Sequence, residues 1–308
     1  MILKPILFLL NYEFCTFNKI LFVLKLKHIP FILLFTFLSC NEEPYGSIAD
    51  EDSNSNQTEV DFFPTEGYWI YEVNSNSEVA PDMNFTAKDS VYVDQINENY
   101  FSLAANNGDF ANGSMNMILT NADLYDTPSS LTLDGSLSLP ENLSTFGISE
   151  DFSLEDLIIF DLDADNGQIM FSQDGVFSNS FEIQNNEVPI EVNYEIETTK
   201  ISFHDNITLN ATEYNNVFQG ELAISLSVSG TFSVLGFSQT VTILETQDII
   251  SVNYYYAESI GLVRAESFQG FSFSPQLINL LDLLDNTLDI PSSLSIQNIE
   301  ELSMYSTD

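Results

Sequence analysis

From Val60 onward the chain alternates apolar and polar residues with period two. The clearest run sets Ile190, Val192, Tyr194 and Ile196 between Glu191, Asn193, Glu195 and Glu197, which predicts a strand with one dry and one wet face. Leu222, Ile224, Leu226 and Val228 repeat it with Ser225, Ser227 and Ser229 outward, and Thr231–Leu244 and Ile249–Tyr256 continue the series. Earlier strands are predicted at Tyr68–Val73 and Asp89–Val93, and one through Met115, Met117 and Leu119 after turn signals at Asn107-Gly108 and Asn112-Gly113. Short turns between alternating strands imply antiparallel pairing. The expected class is all-β: a single antiparallel β-rich domain over residues 60–308, as a curved sheet, half-barrel or sandwich. Helix signals are few. Ser274-Pro275 can cap one short C-terminal helix carrying Leu277, Leu280, Leu281 and Leu284, and Phe152–Leu157 reads as one helical turn.

Before Val60 the pattern is different. Lys25, Lys27 and His28 precede the apolar run Ile29–Leu38, followed by Ser39-Cys40-Asn41-Glu42-Glu43. A short cationic segment, an apolar stretch too short to span a bilayer and a small residue before a cysteine make a secretory signal over residues 1–39, with lipidation at Cys40. Residues 40–59 then form the lipidated cysteine and a flexible acidic tether, rich in Asn, Ser, Asp and Glu. Because the signal is complete from Leu24 onward, translation is expected to begin near Leu24 or Leu26 from a non-standard start codon, leaving residues 1–24 as an extension. A long cationic leader or a membrane segment over Ile20–Leu38 are the alternatives, and Lys25, Lys27 and Pro30 interrupt the latter. Cleavage before Cys40 removes Cys15 and leaves a single thiol, so no internal disulfide forms.

Charge narrows the partners. Seven Lys and Arg face 46 Asp and Glu, for a net charge of −39. Such a surface repels nucleic acid and keeps the protein soluble. The 44% hydrophobic content, with 25 Phe and 13 Tyr, exceeds what a disordered polyelectrolyte carries.

Candidate chemistry is thin. Asp161, Asp163 and Asp165 alternate before Asn166-Gly167, a pattern that can wrap carboxylates around calcium. The glycine falls one place late for a calcium loop and Ser172 stands where a bidentate glutamate belongs, so a two-residue hairpin turn at Asn166-Gly167 is the preferred expectation. His204 is the only histidine after Cys40, lies beside Asp205 and follows Ser202, but no Gly-x-Ser-x-Gly elbow supports a nucleophile. Paired carboxylates could hydrolyse glycosides, yet among 46 acidic residues the sequence singles out no pair. Tyr68, Trp69 and Tyr71 could stack on sugar rings. In the run Tyr254-Tyr255-Tyr256, the first and third share a face. Core packing is the favoured role for both groups.

Phe62-Phe63-Pro64-Thr65-Glu66-Gly67-Tyr68-Trp69-Ile70-Tyr71, Asp89-Ser90-Val91, and Tyr256 through Arg264 resemble segments of uncharacterised exported lipoproteins of Bacteroidota, with a strand near Glu301–Tyr305 closing the pattern. Leu38-Ser39-Cys40 resembles their lipobox, with Phe37 in place of the usual leucine. The resemblance implies an exported, lipidated β-domain at the outer membrane and no known activity. Asn41-Glu42-Glu43 fits both a surface-export mark and an ordinary acidic linker, so the membrane face stays open. The expected role is non-catalytic binding or interaction with the ligand unknown, a glycan or surface protein being the candidate partners, and with no cofactor apart from the calcium considered above. The alternatives are a half-barrel carrier of apolar ligands in the periplasm and a glycan-processing enzyme.

Overall fold

Alternation puts successive side chains on opposite faces of a strand, and that rule builds nearly the whole structure. A computed structural model describes residues 67–137, 139, 143, 148, 152–183, 186–234, 237–283 and 291–307, all within the unit Ser55–Asp308. Cys40, the signal, the tether and Leu284 lie outside the described residues.

The strands are β1 (Tyr68–Asn76), β2 (Phe85–Ile96), β3 (Phe101–Ala105), β4 (Ala122–Asp126), β5 (Ser130–Leu137), β6 (Phe152–Asp161), β7 (Ile169–Ile183), β8 (Asn186–Leu209), β9 (Thr212–Val234), β10 (Phe237–Ala257), β11 (Gly261–Ser272) and β12 (Ser293–Ser306). Two short α-helices, α1 (Ser114–Thr120) and α2 (Pro275–Leu283), and a 3₁₀ turn at Pro81–Met83 complete the described elements. All twelve strands form one antiparallel sheet in the order β6-β5-β4-β3-β2-β1-β12-β11-β10-β9-β8-β7. β1 pairs with β12 in the middle of this order, and two meanders spread from that pair. The sheet curls until it is nearly closed. The all-β expectation holds, and so does the C-terminal helix, where Ser274 Oγ accepts from Leu277 N at 3.1 Å as an N-cap.

The inner face holds the core. Trp69, Tyr254, Tyr256, Phe101, Phe160, Phe218 and Met115 are all essentially fully buried. The outer face is polar: Glu191, Asn193 and Glu195 of β8 are exposed, while Val192 and Ile196 point inward. That arrangement is the reverse of a membrane-spanning barrel, which turns an apolar band to lipid. Among the described residues no helix is long and apolar enough to cross a membrane.

Three local expectations are corrected. Ser114–Thr120 is helix α1, not a strand. Ser114, Met115, Asn116, Ile118 and Leu119 are all buried, so the helix shows no polar stripe to reveal its period. Phe152–Leu157 is the start of β6, not a helical turn; it pairs with β5 through Leu133↔Leu157 and Gly135↔Leu154, with a bulge between them at Asp156, where φ is 55°.

The third correction concerns Asn166-Gly167. It does turn the chain, with Gly167 at φ 80°, but β6 and β7 do not pair as a hairpin. They are the two ends of the sheet. Their connection is tied instead to β8: Gly167 N donates to Lys200 O at 2.6 Å and Lys200 N to Gln168 O at 3.0 Å. β6 then lies against the inner face of β8 to β10. Thr198 Oγ1 donates to Ile158 O at 2.7 Å, and Tyr254 OH donates to Ile159 O at 2.6 Å. Side chains replace a ladder there, which satisfies the carbonyls without closing the sheet.

Candidate functional site

Among the described residues three charged side chains are buried: Asp89 and Glu300, both fully, and Lys200, 5% exposed. Burying a charge costs several kcal/mol unless hydrogen bonds compensate it, so each marks a place where the fold demands a polar partner.

Asp89 on β2 and Glu300 on β12 flank β1, in register with Tyr71 and Val73 respectively. Both reach the amino end of α1. Asp89 Oδ2 accepts from Gly113 N at 2.8 Å, and both its oxygens accept from Asn112 N at 2.9 Å. The side-chain amides of Asn112 and Asn106 donate to Oδ1 at 2.7 and 2.9 Å. Glu300 Oε1 accepts from Met115 N at 2.6 Å and Oε2 from Asn116 N at 3.0 Å. Four backbone donors at the start of the helix, those of Asn112, Gly113, Met115 and Asn116, are thus taken up by two carboxylates. Gly113 leaves the room for this, because a Cβ there would collide with the Glu300 carboxyl group. Burial pushes the Glu300 carboxyl up to about 7; the N–H groups of Met115 and Asn116 pull the other way, and Asp89 adds to the rise.

A half-open cavity of about 300 Å³ adjoins the same helix end. Its polar lining comes from Ser75, Asn112, Ser114, Gln269 and Asn298, and its apolar lining from Met83, Phe85, Met117 and Ile296. Ser114 Oγ accepts from Ser267 Oγ at 2.7 Å and from Gln269 Nε2 at 3.3 Å, which fixes one wall. Asn298 donates to Asn112 O at 3.4 Å, while its Oδ1 is buried with no hydrogen-bond partner among the described residues. Both polar atoms of the Asn116 side chain are likewise buried and unpartnered.

Lys200 belongs to the seam. Its ammonium donates to Leu162 O at 2.8 Å and Ala164 O at 2.7 Å and sits 5.7 Å from the centre of the Phe218 ring. Asp161, Asp163 and Asp165 surround this turn, but the cation it holds is Lys200. Asp161 Oδ1 accepts from Asp163 N at 2.9 Å, a local turn bond. Among the described residues no group of three acidic, histidine or cysteine side chains is placed to hold a metal ion.

Tyr68, Trp69 and Tyr71 are not brought together on one surface. Strand alternation turns Trp69 and Tyr71 inward, to 1% and 3% exposure, and leaves Tyr68 alone outside. Trp69 Nε1 donates to Ile260 O at 2.6 Å and Tyr71 OH to Leu262 O at 2.9 Å, so both anchor β1 to the start of β11. His204 Nε2 lies 2.7 Å from Ser202 Oγ and 3.0 Å from Gln219 Oε1. Serine and amide meet the same ring nitrogen, and among the described residues no carboxylate bonds the other, so the arrangement there lacks the orienting partner of a nucleophilic triad.

The residues the sequence left unmarked are Asp89, Glu300 and Lys200. A signal was present for two of them: Asp89 shares the strand phase of Val91, and Lys200 that of Ile196 and Thr198. No family model matches this chain, and no curated protein or solved structure matches it.

Proposed function

We propose that this chain is a lipid-anchored envelope protein whose β-domain binds a ligand without catalysing a reaction. The observation that carries the non-catalytic part is the occupation of its buried charges. Burial pushes the Glu300 carboxyl up to about 7, toward the range of a general acid, yet it is fully buried and both its oxygens accept from α1. Asp89 and Lys200 are likewise taken up by backbone and amide partners. None of the three lines the α1 cavity.

The α1 cavity supports the binding part. Amides and hydroxyls on one side and Met83, Phe85, Met117 and Ile296 on the other suit a ligand with polar edges and apolar faces, as a sugar ring has. The unpartnered Oδ1 of Asn298 adds an acceptor beside it. A packed interior weighs against a carrier of large apolar ligands, since Trp69, Phe101, Phe160, Phe218, Tyr254 and Tyr256 occupy the space such a ligand needs. The anchor rests on Lys25–Cys40.

Two measurements test the proposal. Cys40→Ser is expected to move the protein from the membrane pellet to the soluble fraction; a variant that still sediments after carbonate washing overturns the anchor. Saturation-transfer NMR against mono- and disaccharides is expected to show transfer that Gln269→Leu abolishes. Transfer that survives Gln269→Leu, or none to any sugar, overturns the cavity assignment.

A further inference from the structure

The two ends of the sheet leave an open seam. Between them lies a cleft of about 520 Å³, lined by Ser153, Glu155 and Asp156 of β6 and by residues Phe171–Asp174 of β7. Among the described residues β7 pairs with β8 alone and β6 with β5 alone. A strand at a sheet edge presents unpaired N–H and C=O groups, a ready template for one more strand. Natural edges are usually blunted by lysine, proline or a cover. Phe171–Asp174 carries neither lysine nor proline, and Val176 just beyond is 62% exposed. The far half of β6 is already closed, because Thr198 and Tyr254 hold the carbonyls of Ile158 and Ile159. The near half is where the cleft opens.

Charge selects the occupant. Glu155, Asp156 and Asp174 line the cleft, and no described lysine or arginine does. A second copy of the chain would bring its own acidic edge against this one, in a protein of net charge −39. The tether, with Glu42, Glu43, Asp50, Glu51, Asp52 and Glu59 and no basic residue, is repelled for the same reason. We infer that the β6–β7 seam is a strand-addition site for an extended cationic peptide of a partner protein. The peptide adds to β7, its lysines or arginines meeting Glu155, Asp156 and Asp174, and its alternate apolar side chains facing the half-buried Phe171. Successive strands of the sheet alternate in direction, so β6 and β7 run antiparallel. One inserted strand must therefore be parallel to one of them. Antiparallel pairing with β7 is favoured, since antiparallel ladders are the more stable and half of β6 is capped.

The inference rests on the binding role proposed above and names a partner class for a different surface, so each can fail without the other. The test uses the full-length chain in detergent and a fluorescein-labelled hexapeptide of alternating valine and lysine. A second peptide of the same sequence carries N-methyl groups along the edge that would bond β7. Fluorescence anisotropy is expected to show binding of the first and none of the second. Glu155→Gln/Asp156→Asn/Asp174→Asn is expected to weaken binding at least tenfold, and Asp94→Asn/Glu98→Gln/Glu213→Gln, which removes as many exposed charges elsewhere, by less than twofold. Amide exchange within Phe171–Asp174 slows when the peptide is bound. Equal binding of the N-methylated peptide, or equal weakening by the two triple variants, would reduce the effect to unspecific ion attraction and overturn the inference. So would no binding at all, or a peptide-free dimer in sedimentation, which would assign the edge to self-pairing. Saccharide transfer at the α1 cavity is unaffected by any of these outcomes.

Discussion

Asp89 and Glu300 divide the amino end of one helix between them: Asp89 takes the N–H groups of Asn112 and Gly113, Glu300 those of Met115 and Asn116. They reach it from either side of β1, so α1 is fastened to the place where the first and last strands of the domain meet. A seven-residue helix is too short to persist on its own. It exists because two inward carboxylates and an apolar interior receive it.

Glu300 gives the fastening a dependence on pH. Glu300 is held at about 7, above its ordinary 4.5, chiefly by burial. A carboxyl raised on folding contributes stability that is fully present below 4.5 and is lost as pH rises through 7. The span corresponds to roughly 3 kcal/mol. Glu300→Gln removes the titration while keeping one acceptor, at the loss of a hydrogen bond worth about 1 kcal/mol. Urea unfolding is expected to find the variant less stable than wild type at pH 4.5 and more stable at pH 8, with the curves crossing between. Parallel curves would show that Glu300 does not titrate in this window.

Asp89→Ala tests the other half of the fastening. It strands the buried N–H group of Gly113 and takes the acceptor from the part-buried N–H of Asn112 and the amides of Asn112 and Asn106. The expected loss is about 3–5 kcal/mol. Asp89→Asn, which keeps one acceptor, is expected to lose less. Thermal unfolding at neutral pH ranks the three proteins, and an Asp89→Ala melting temperature within a degree of wild type would refute the fastening role.

How far the sequence foretold this can be read residue by residue. Ile190 to Ile196 and Leu222 to Val228 pointed inward as their alternation predicted, because a strand with one wet face has only one way to lie. The same alternation carried Asp89 and Lys200 into the interior, and their phase was visible before the structure. Their partners were not. Those are backbone groups of Asn112 and Gly113 for Asp89 and of Leu162 and Ala164 for Lys200, remote along the chain, and no local pattern announces a contact of that kind. α1 escaped notice because Met115, Met117 and Leu119 fit a strand period over a segment too short to separate 2.0 from 3.6 residues per repeat. The Asn166-Gly167 turn was legible; that its flanking strands would stand at opposite ends of the sheet was not, since Lys200 decides it from a distance.

Lys200 supplies the third prediction. Lys200→Met keeps an unbranched stem over Phe218 and removes the donor to Leu162 O and Ala164 O. Two buried carbonyls without a partner are expected to cost about 1–3 kcal/mol. The loosening should be local. The Gly167 amide, bonded to Lys200 O, is expected to exchange faster, while amides in the β9–β10 ladder keep their protection relative to the global unfolding rate. A stable variant with unchanged exchange at Gly167 would mean that the ammonium does not secure the seam.

Gly220 and Tyr254 form a cross-strand pair of another kind. They stand opposite one another on β9 and β10, and a Cβ on Gly220 would lie 2.5 Å from the Tyr254 ring. The ring thus covers the glycine, a device by which an aromatic compensates the missing side chain. Tyr254 is fully buried, burial pushes its hydroxyl far above the usual range, and so it stays protonated and donates to Ile159 O. Gly220→Ala must displace the ring and with it that hydrogen bond. The combined effect is overpacking worth about 1–3 kcal/mol plus the bond, about 1 kcal/mol. Tyr254→Phe loses the bond alone. If the displaced ring is the cause, the double variant Gly220→Ala/Tyr254→Phe is less destabilised than the two single effects added, because the bond can be lost only once. Strict additivity in chemical denaturation would show that Gly220 acts through some neighbour other than Tyr254.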